Sequence, residues 1–280
     1  MSDEEYKKLL KQYHKLSDRH ILVAETDMSY PDVQKVVNFS GRIRKAGNEL
    51  VGVMKKNYEQ LMRTKKYRKL LQLYGSTEDK KKRKTYAGQL NEMQEQYNVT
   101  WDFCRVSMIP IGKKYGIDAI FALAKAEDVW RGVEKCLYGN GRMLHFSKYG
   151  DFPCIRAKQI NRGIPMSVKN DELKFKLGKL VFGIQVKDRF QTDEVNAVLD
   201  YLAAPEITDH KAVQTLLEET CCISTYRPCH ATLVPKLIRG KYRVYLHLTI
   251  EGRTKPKYDS SDNPRHKYGR GVIGADIGMQ

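Results

Sequence analysis

The apolar residues of this chain change period near Tyr138, and that change constrains the fold more than any other feature. Upstream they recur at helical spacing: Val51, Met54, Tyr58 and Leu61, then Tyr67, Leu70, Leu71 and Tyr74. The pattern resumes at Ile117, Ile120, Phe121 and Ala124, then Val129, Val133, Cys136 and Leu137. Such a recurrence lines one stripe of a helix, so the stretch predicts a helical lobe. Ser29-Tyr30-Pro31 starts it, with Pro31 in the first turn, where a missing N–H is harmless. Gly75-Ser76 and the run Lys80-Lys81-Lys82-Arg83-Lys84 read as a loop or a frayed helix start.

After Gly139-Asn140-Gly141, which breaks the last helix, Phe146 to Arg162 reads as a basic, Gly/Pro-punctuated loop. The period then falls to two. Leu173 to Leu177 alternates apolar with charged, and Gly178-Lys179 turns it into Leu180 to Val186, a hairpin by pattern. A helical insertion with Val195, Val198 and Leu199 on one face follows. A second hairpin runs from Thr232 to Ile238, turns at Arg239-Gly240 and returns along Tyr242 to Ile250. Ahead of all this, Asp3 to Leu16 reads as a short charged helix and Arg19 to Thr26 as a strand. The expected class is therefore α+β.

Charge narrows the partners. The formal charge is +17, and the Lys80–Lys84 run supplies five of it, leaving +12 spread elsewhere. Such an excess attracts polyanions and favours nucleic acid by counterion release. No run approaches the ~20 apolar residues a bilayer needs, and Met1 to Lys11 lacks an apolar signal core, so no membrane partner is expected. The six cysteines form no C-x-x-C pair, which fits a reduced, cytoplasmic protein. Cys221, Cys222, Cys229 and His230 depart from zinc spacings and read as buried thiols beside a surface histidine.

The sharpest motif is Gly271-Val272-Ile273-Gly274-Ala275-Asp276-Ile277-Gly278. An apolar strand ending in one acid and a glycine presents a carboxylate at its tip, as metal-dependent nucleases do for Mg2+. The same pattern opens the phosphate turn of actin-like ATPases, and an ordinary strand end with a capping aspartate has this form too. The strand begins a unit that Gln280 leaves unfinished, so a truncated C-terminus is expected.

Context adds to this. Lys241-Tyr242-Arg243-Val244-Tyr245-Leu246-His247-Leu248-Thr249-Ile250-Glu251-Gly252, then a basic linker, then the Asp276 motif, resembles TnpB proteins, the transposon-encoded relatives of type V CRISPR effectors. The likeness is specific from Lys241 to Gly278 and only architectural upstream. It implies a helical recognition lobe inserted in a wedge-type β-barrel, followed by the first strand of an RNase H-like (RuvC) domain. The matching divisions are 1–28 (helix and first wedge strand), 29–163 (recognition lobe), 164–268 (wedge and linker) and 269–280 (start of RuvC). It implies guide RNA and target DNA as partners, and Asp276 as the first Mg2+ ligand of a DNA endonuclease whose later acids lie beyond this chain. A nuclease-inactive RNA-guided DNA-binding regulator and a general basic RNA-binding protein are the alternatives. Monomer and homodimer are both open.

The expected nucleic-acid contacts are the basic clusters. Lys65, Lys66, Arg68 and Lys69 fall on the polar face of a helical stripe. Arg156, Lys158 and Arg162 lie in a loop, and Arg239, Lys241 and Arg243 at a hairpin tip. Tyr245 and His247 alternate away from the apolar face of their strand and are the contact candidates among the aromatics. Tyr58, Tyr67 and Tyr74 fall on apolar stripes and read as packing.

Overall fold

The computed structural model describes residues 19–139, 141–157, 162–203 and 226–252, and in the linker beyond them residues 254, 255, 257–259, 261, 263 and 265. The expected helix over Asp3 to Leu16, Lys158, Cys221, Cys222 and the Asp276 motif lie outside these. The described chain is a mixed helix-and-sheet fold. In order it runs β1 (Arg19–Thr26), α1 (Tyr30–Arg63), α2 (Lys65–Ser76), α3 (Lys80–Gln96), α4 (Trp101–Lys114), α5 (Ala119–Tyr138), β2 (Ile155–Arg156), β3 (Met166–Lys169), β4 (Glu172–Leu177), β5 (Leu180–Phe182), β6 (Ile184–Gln185), α6 (Arg189–Ala203), β7 (Arg227–Ile238) and β8 (Lys241–Glu251). It divides into two compact units: Met1–Leu22 with Val186–Arg227 and Ile250–Gln280, and Val23–Gln185 with Pro228–Thr249.

The second unit holds the helices α1 to α5. α1 is a single helix of 34 residues because Val33, Val37, Ile43, Leu50, Met54 and Leu61 keep one buried stripe along its whole length. It packs on α2, α4 and α5. Thr64 ends it in an extended conformation, with its N–H on Leu61 O at 3.1 Å. Phe39 meets Phe121 of α5 edge-on at 5.3 Å. Fully buried Leu50, Met54 and Met108 each contribute about 1.5–3 kcal/mol of apolar burial. Cys104 belongs to this core: its thiol donates to Ala126 O at 3.5 Å, and burial pushes its pKa up to about 12, which rules out a thiolate nucleophile at neutral pH.

One sheet has the order β2-β7-β8-β1-β6, and a separate meander has the order β3-β4-β5. Among the described residues the five-stranded sheet is open, with β2 and β6 at its edges. The β7–β8 hairpin turns where the sequence expects, through Arg239 and Gly240, both at positive φ (49° and 76°), the geometry that matches strand twist. Its first arm begins at Arg227, earlier than the expected Thr232, because Cys229 and His230 are both half-buried and interrupt the alternation. Ile155 and Arg156, expected in a loop, pair with Leu233 and Thr232.

The strand expected over Leu180 to Val186 is cut at Gly183, where the chain leaves the meander (Phe175 opposite Phe182) and joins the other sheet (Thr26 opposite Ile184). Asp27 clasps this point. Its Oδ1 accepts the Gly183 N–H at 2.7 Å and its own N–H donates to Gly183 O at 3.2 Å. A Cβ on Gly183 would lie 2.7 Å from Asp27 Oδ2 and 3.0 Å from Lys174 Nζ. Gly183→Ala is therefore expected to lower unfolding stability by about 1–3 kcal/mol, read as a shifted urea midpoint. An unchanged midpoint would show that Asp27 swings away without loss.

In the first unit α6 buries Val195 and Val198, as the spacing predicts, and beside them Glu194, fully buried and unanticipated. Glu194 Oε1 accepts from the Lys255 N–H at 2.6 Å and from Thr254 Oγ1 at 3.1 Å, and His20 Nε2 lies 2.6 Å from Oε2. His20 Nδ1 is 2.8 Å from Gly252 O. Both ring nitrogens thus face acceptors, which an imidazolium satisfies and a neutral ring does not. Burial pushes the Glu194 carboxyl up, but the hydrogen bonds from His20, Lys255 and Thr254 outweigh it and hold the group below its ordinary range. Glu251, also fully buried, takes Arg227 at 2.7 Å and Arg19 at 3.7 Å.

Candidate nucleic-acid interface

α2 and α3 form a helical hairpin. Its inner side is Tyr67, Leu70, Leu90 and Met93, with buried Gln94 satisfied at both ends: its Nε2 donates to Tyr67 Oη at 3.1 Å and its Oε1 accepts from Tyr138 at 2.7 Å. Burying Tyr67 and Leu70 turns Lys65, Lys66, Arg68 and Lys69 outward, and all four are exposed. The run Lys80 to Lys84 is the first turn of α3 and is helical, which corrects the loop or frayed start expected from sequence. The cap accounts for it. Asp79 Oδ1 accepts the N–H groups of Lys81 at 2.8 Å and Lys82 at 3.4 Å, satisfying donors that a helix start leaves orphaned.

Residues 63–84 carry ten cations against Glu78 and Asp79, a net +8 of the chain's +17. None of the ten has a carboxylate within 4 Å among the described residues, and Arg83 lies over the Tyr74 ring at 4.8 Å. Like-charge neighbours and the positive end of the helix both oppose such a turn, and an anionic partner relieves both. Several cations elsewhere are paired: Lys35 with Asp32, Arg105 with Asp102, Lys114 with Glu49 and Lys174 with Glu172.

The other expected contacts fare differently. Arg156 is half-buried and spends its guanidinium on α5, donating to Glu127 at 3.1 Å, Asp128 at 2.8 Å and Ala124 O at 3.2 Å. It fastens β2 to that helix. Arg243 pairs with Glu25 at 2.9 Å. Arg162, Arg239 and Lys241 are exposed. β8 alternates as expected, burying Val244, Leu246, Leu248 and Ile250, but its other face is partly covered. Lys236 Nζ sits 5.1 Å from the Tyr245 ring centre. His247 is half-buried with no partner for Nε2 among the described residues, and burial, helped by Lys236, lowers its pKa, so it is neutral at pH 7. Sequence spacing thus anticipated that the α2 cluster lies on an exposed helix face, and could not tell it from Arg156 or Arg243, since the carboxylates that occupy those two lie far away in sequence.

Among the described residues no group of three or more His, Cys, Asp or Glu is placed to hold a metal ion, and no helix is long and apolar enough to cross a membrane. No protein-family model matches the chain, and no curated protein matches it.

Proposed function

We propose that this chain binds nucleic acid, and that it is the guide-RNA- and DNA-binding portion of an RNA-guided DNA endonuclease of the TnpB kind. The observation that carries the proposal is the α2–α3 hairpin, where nine cations stand without carboxylate partners among the described residues. A polyanion with regularly spaced phosphates is the ligand that neutralises such a surface, and counterion release supplies the affinity. In this reading α1 to α5 form the recognition lobe, the five-stranded sheet belongs to a wedge-type barrel, and Arg162, Arg239 and Lys241 add backbone contacts. The likeness of Lys241 to Gly278 to the TnpB wedge-to-RuvC junction supports the guided part. Asp276 is the only residue to which the nuclease half of the proposal assigns a role, as a Mg2+ ligand.

Extraction of nucleic acid from the purified chain tests it. One discrete, structured RNA species is expected. A heterogeneous mixture of cellular RNA would favour a general basic RNA-binding protein, and a preparation free of RNA that also fails to bind added RNA would remove the proposal.

A further inference from the structure

Beyond Gly141 the chain lies back along α1. Phe146 sits at Gly52, its Cε1 3.9 Å from where a Cβ would be. Asn48 grips Ser147 twice, its Nδ2 donating to the carbonyl and its Oδ1 accepting the N–H, both at 2.9 Å. Tyr149 reaches Arg44, and Ser40 donates to Pro153 O at 2.5 Å. The strap so formed roofs a cleft of about 380 Å3 between α1 and α5, within the range of small-ligand sites.

The cleft is cationic. Lys125, Lys135, Arg142 and His145 line it, with Asp128 the one carboxylate in its lining, and Asp128 is taken by Arg156 at 2.8 Å. None of those four basic groups has an ion pair with a described residue. Lys125 is half-buried, and its stem fills the space over Gly47, where a Cβ would collide with its Cε. A partly desolvated ammonium without a counter-charge favours an anion in the cleft.

Next to the cleft the strap holds two aromatic rings in solvent. Tyr149 is 94% exposed and Phe146 51%. Each has a cation on one side, Arg44 at 5.4 Å from the Tyr149 ring centre and Lys55 at 5.7 Å from that of Phe146. Tyr149 is held out by a tight turn: the Asp151 N–H donates to Lys148 O at 3.2 Å, Asp151 Oδ2 accepts the Lys148 N–H at 2.9 Å, and Gly150 supplies φ +90°. Exposed rings interleaved with cations are the platform on which unpaired bases stack. We infer that the strap and cleft bind a single-stranded stretch of nucleic acid, with a phosphate at Lys125, Lys135 and Arg142 and neighbouring bases on Phe146 and Tyr149. This rests on the nucleic-acid reading and adds a second site to it, specific for unpaired strand.

The test compares a short labelled oligothymidylate with a blunt duplex RNA, by fluorescence anisotropy on the full chain. Phe146→Ala with Tyr149→Ala is expected to weaken oligothymidylate binding about tenfold or more and leave duplex binding unchanged. Lys125→Met, which keeps the stem over Gly47, is expected to reduce the salt slope for the oligonucleotide by about 0.7. Equal effects on both ligands, or none on the oligonucleotide, would overturn the inference. So would displacement of the oligonucleotide by adenosine monophosphate at equal nucleotide concentration, which assigns the cleft to a free nucleotide. Wild-type binding of duplex without oligothymidylate sinks this site and leaves the proposed function standing; binding of neither sinks both. Both rings are solvent-facing, so unchanged thermal melts check that the variants fold.

Discussion

Reversing the four outward cations of α2 together, as Lys65→Glu, Lys66→Glu, Arg68→Glu and Lys69→Glu, is expected to weaken binding of structured RNA by about two to three orders of magnitude near 0.15 M salt. Each phosphate contact contributes about 0.7–0.9 to the slope of log affinity against log salt, so losing four lowers the slope by about 3. The side chains stand opposite buried Tyr67 and Leu70, so the hairpin core is untouched and the far-ultraviolet circular dichroism should not change. Reversing Lys35 and Arg105 is the control. Their charges already face Asp32 and Asp102, and a smaller loss is expected. Losses in proportion to the charge removed, eight units against four, would mean that net charge alone drives binding. No loss from the α2 set would remove the hairpin from the interface.

The largest stability effect is expected in the other unit. Glu194→Ala takes one partner from a buried ion pair and removes this one acceptor from His20, the Lys255 N–H and Thr254. Removing one side of such a pair costs about 3–5 kcal/mol, because the remaining charge stays out of water uncompensated. Glu194→Gln, which can still accept from the Lys255 N–H but loses the charge opposite His20, should cost less. Urea unfolding with a probe in the first unit reads both. Glu49→Gln, at an exposed pair with Lys114, should leave the midpoint where it was. If Glu194→Ala does the same, the carboxylate is a spectator and His20 does not depend on it.

Pattern reasoning read the elements well wherever one face is buried and one wet. Arg19–Thr26, the start of α1 at Tyr30, the end of α5 at Tyr138, the Arg239-Gly240 turn and the alternation of β8 all stand as the spacing predicts. It missed β2 and β3, the latter closed by Asn170 and Asp171 at positive φ. Short strands carry too few residues for a period to register. It also read the lysine run as a break, because five like charges argue against a helix unless a cap is counted, and Asp79 was the signal available.

The amino-acid order by itself determined the mixed class, the helical lobe before Tyr138 and the sheet after it, and the cationic excess, since each is a property of neighbours within a few positions. Which cations remain free was decided only in three dimensions. Arg156 meets Glu127 and Asp128, and Arg243 meets Glu25 across 218 positions, while the α2 cluster meets none among the described residues. The Glu194 pair and the strap over α1 were settled in the same way. A charge is quenched or left available according to what lies within about 4 Å of it, and separation along the chain carries no information about that distance once the chain has folded.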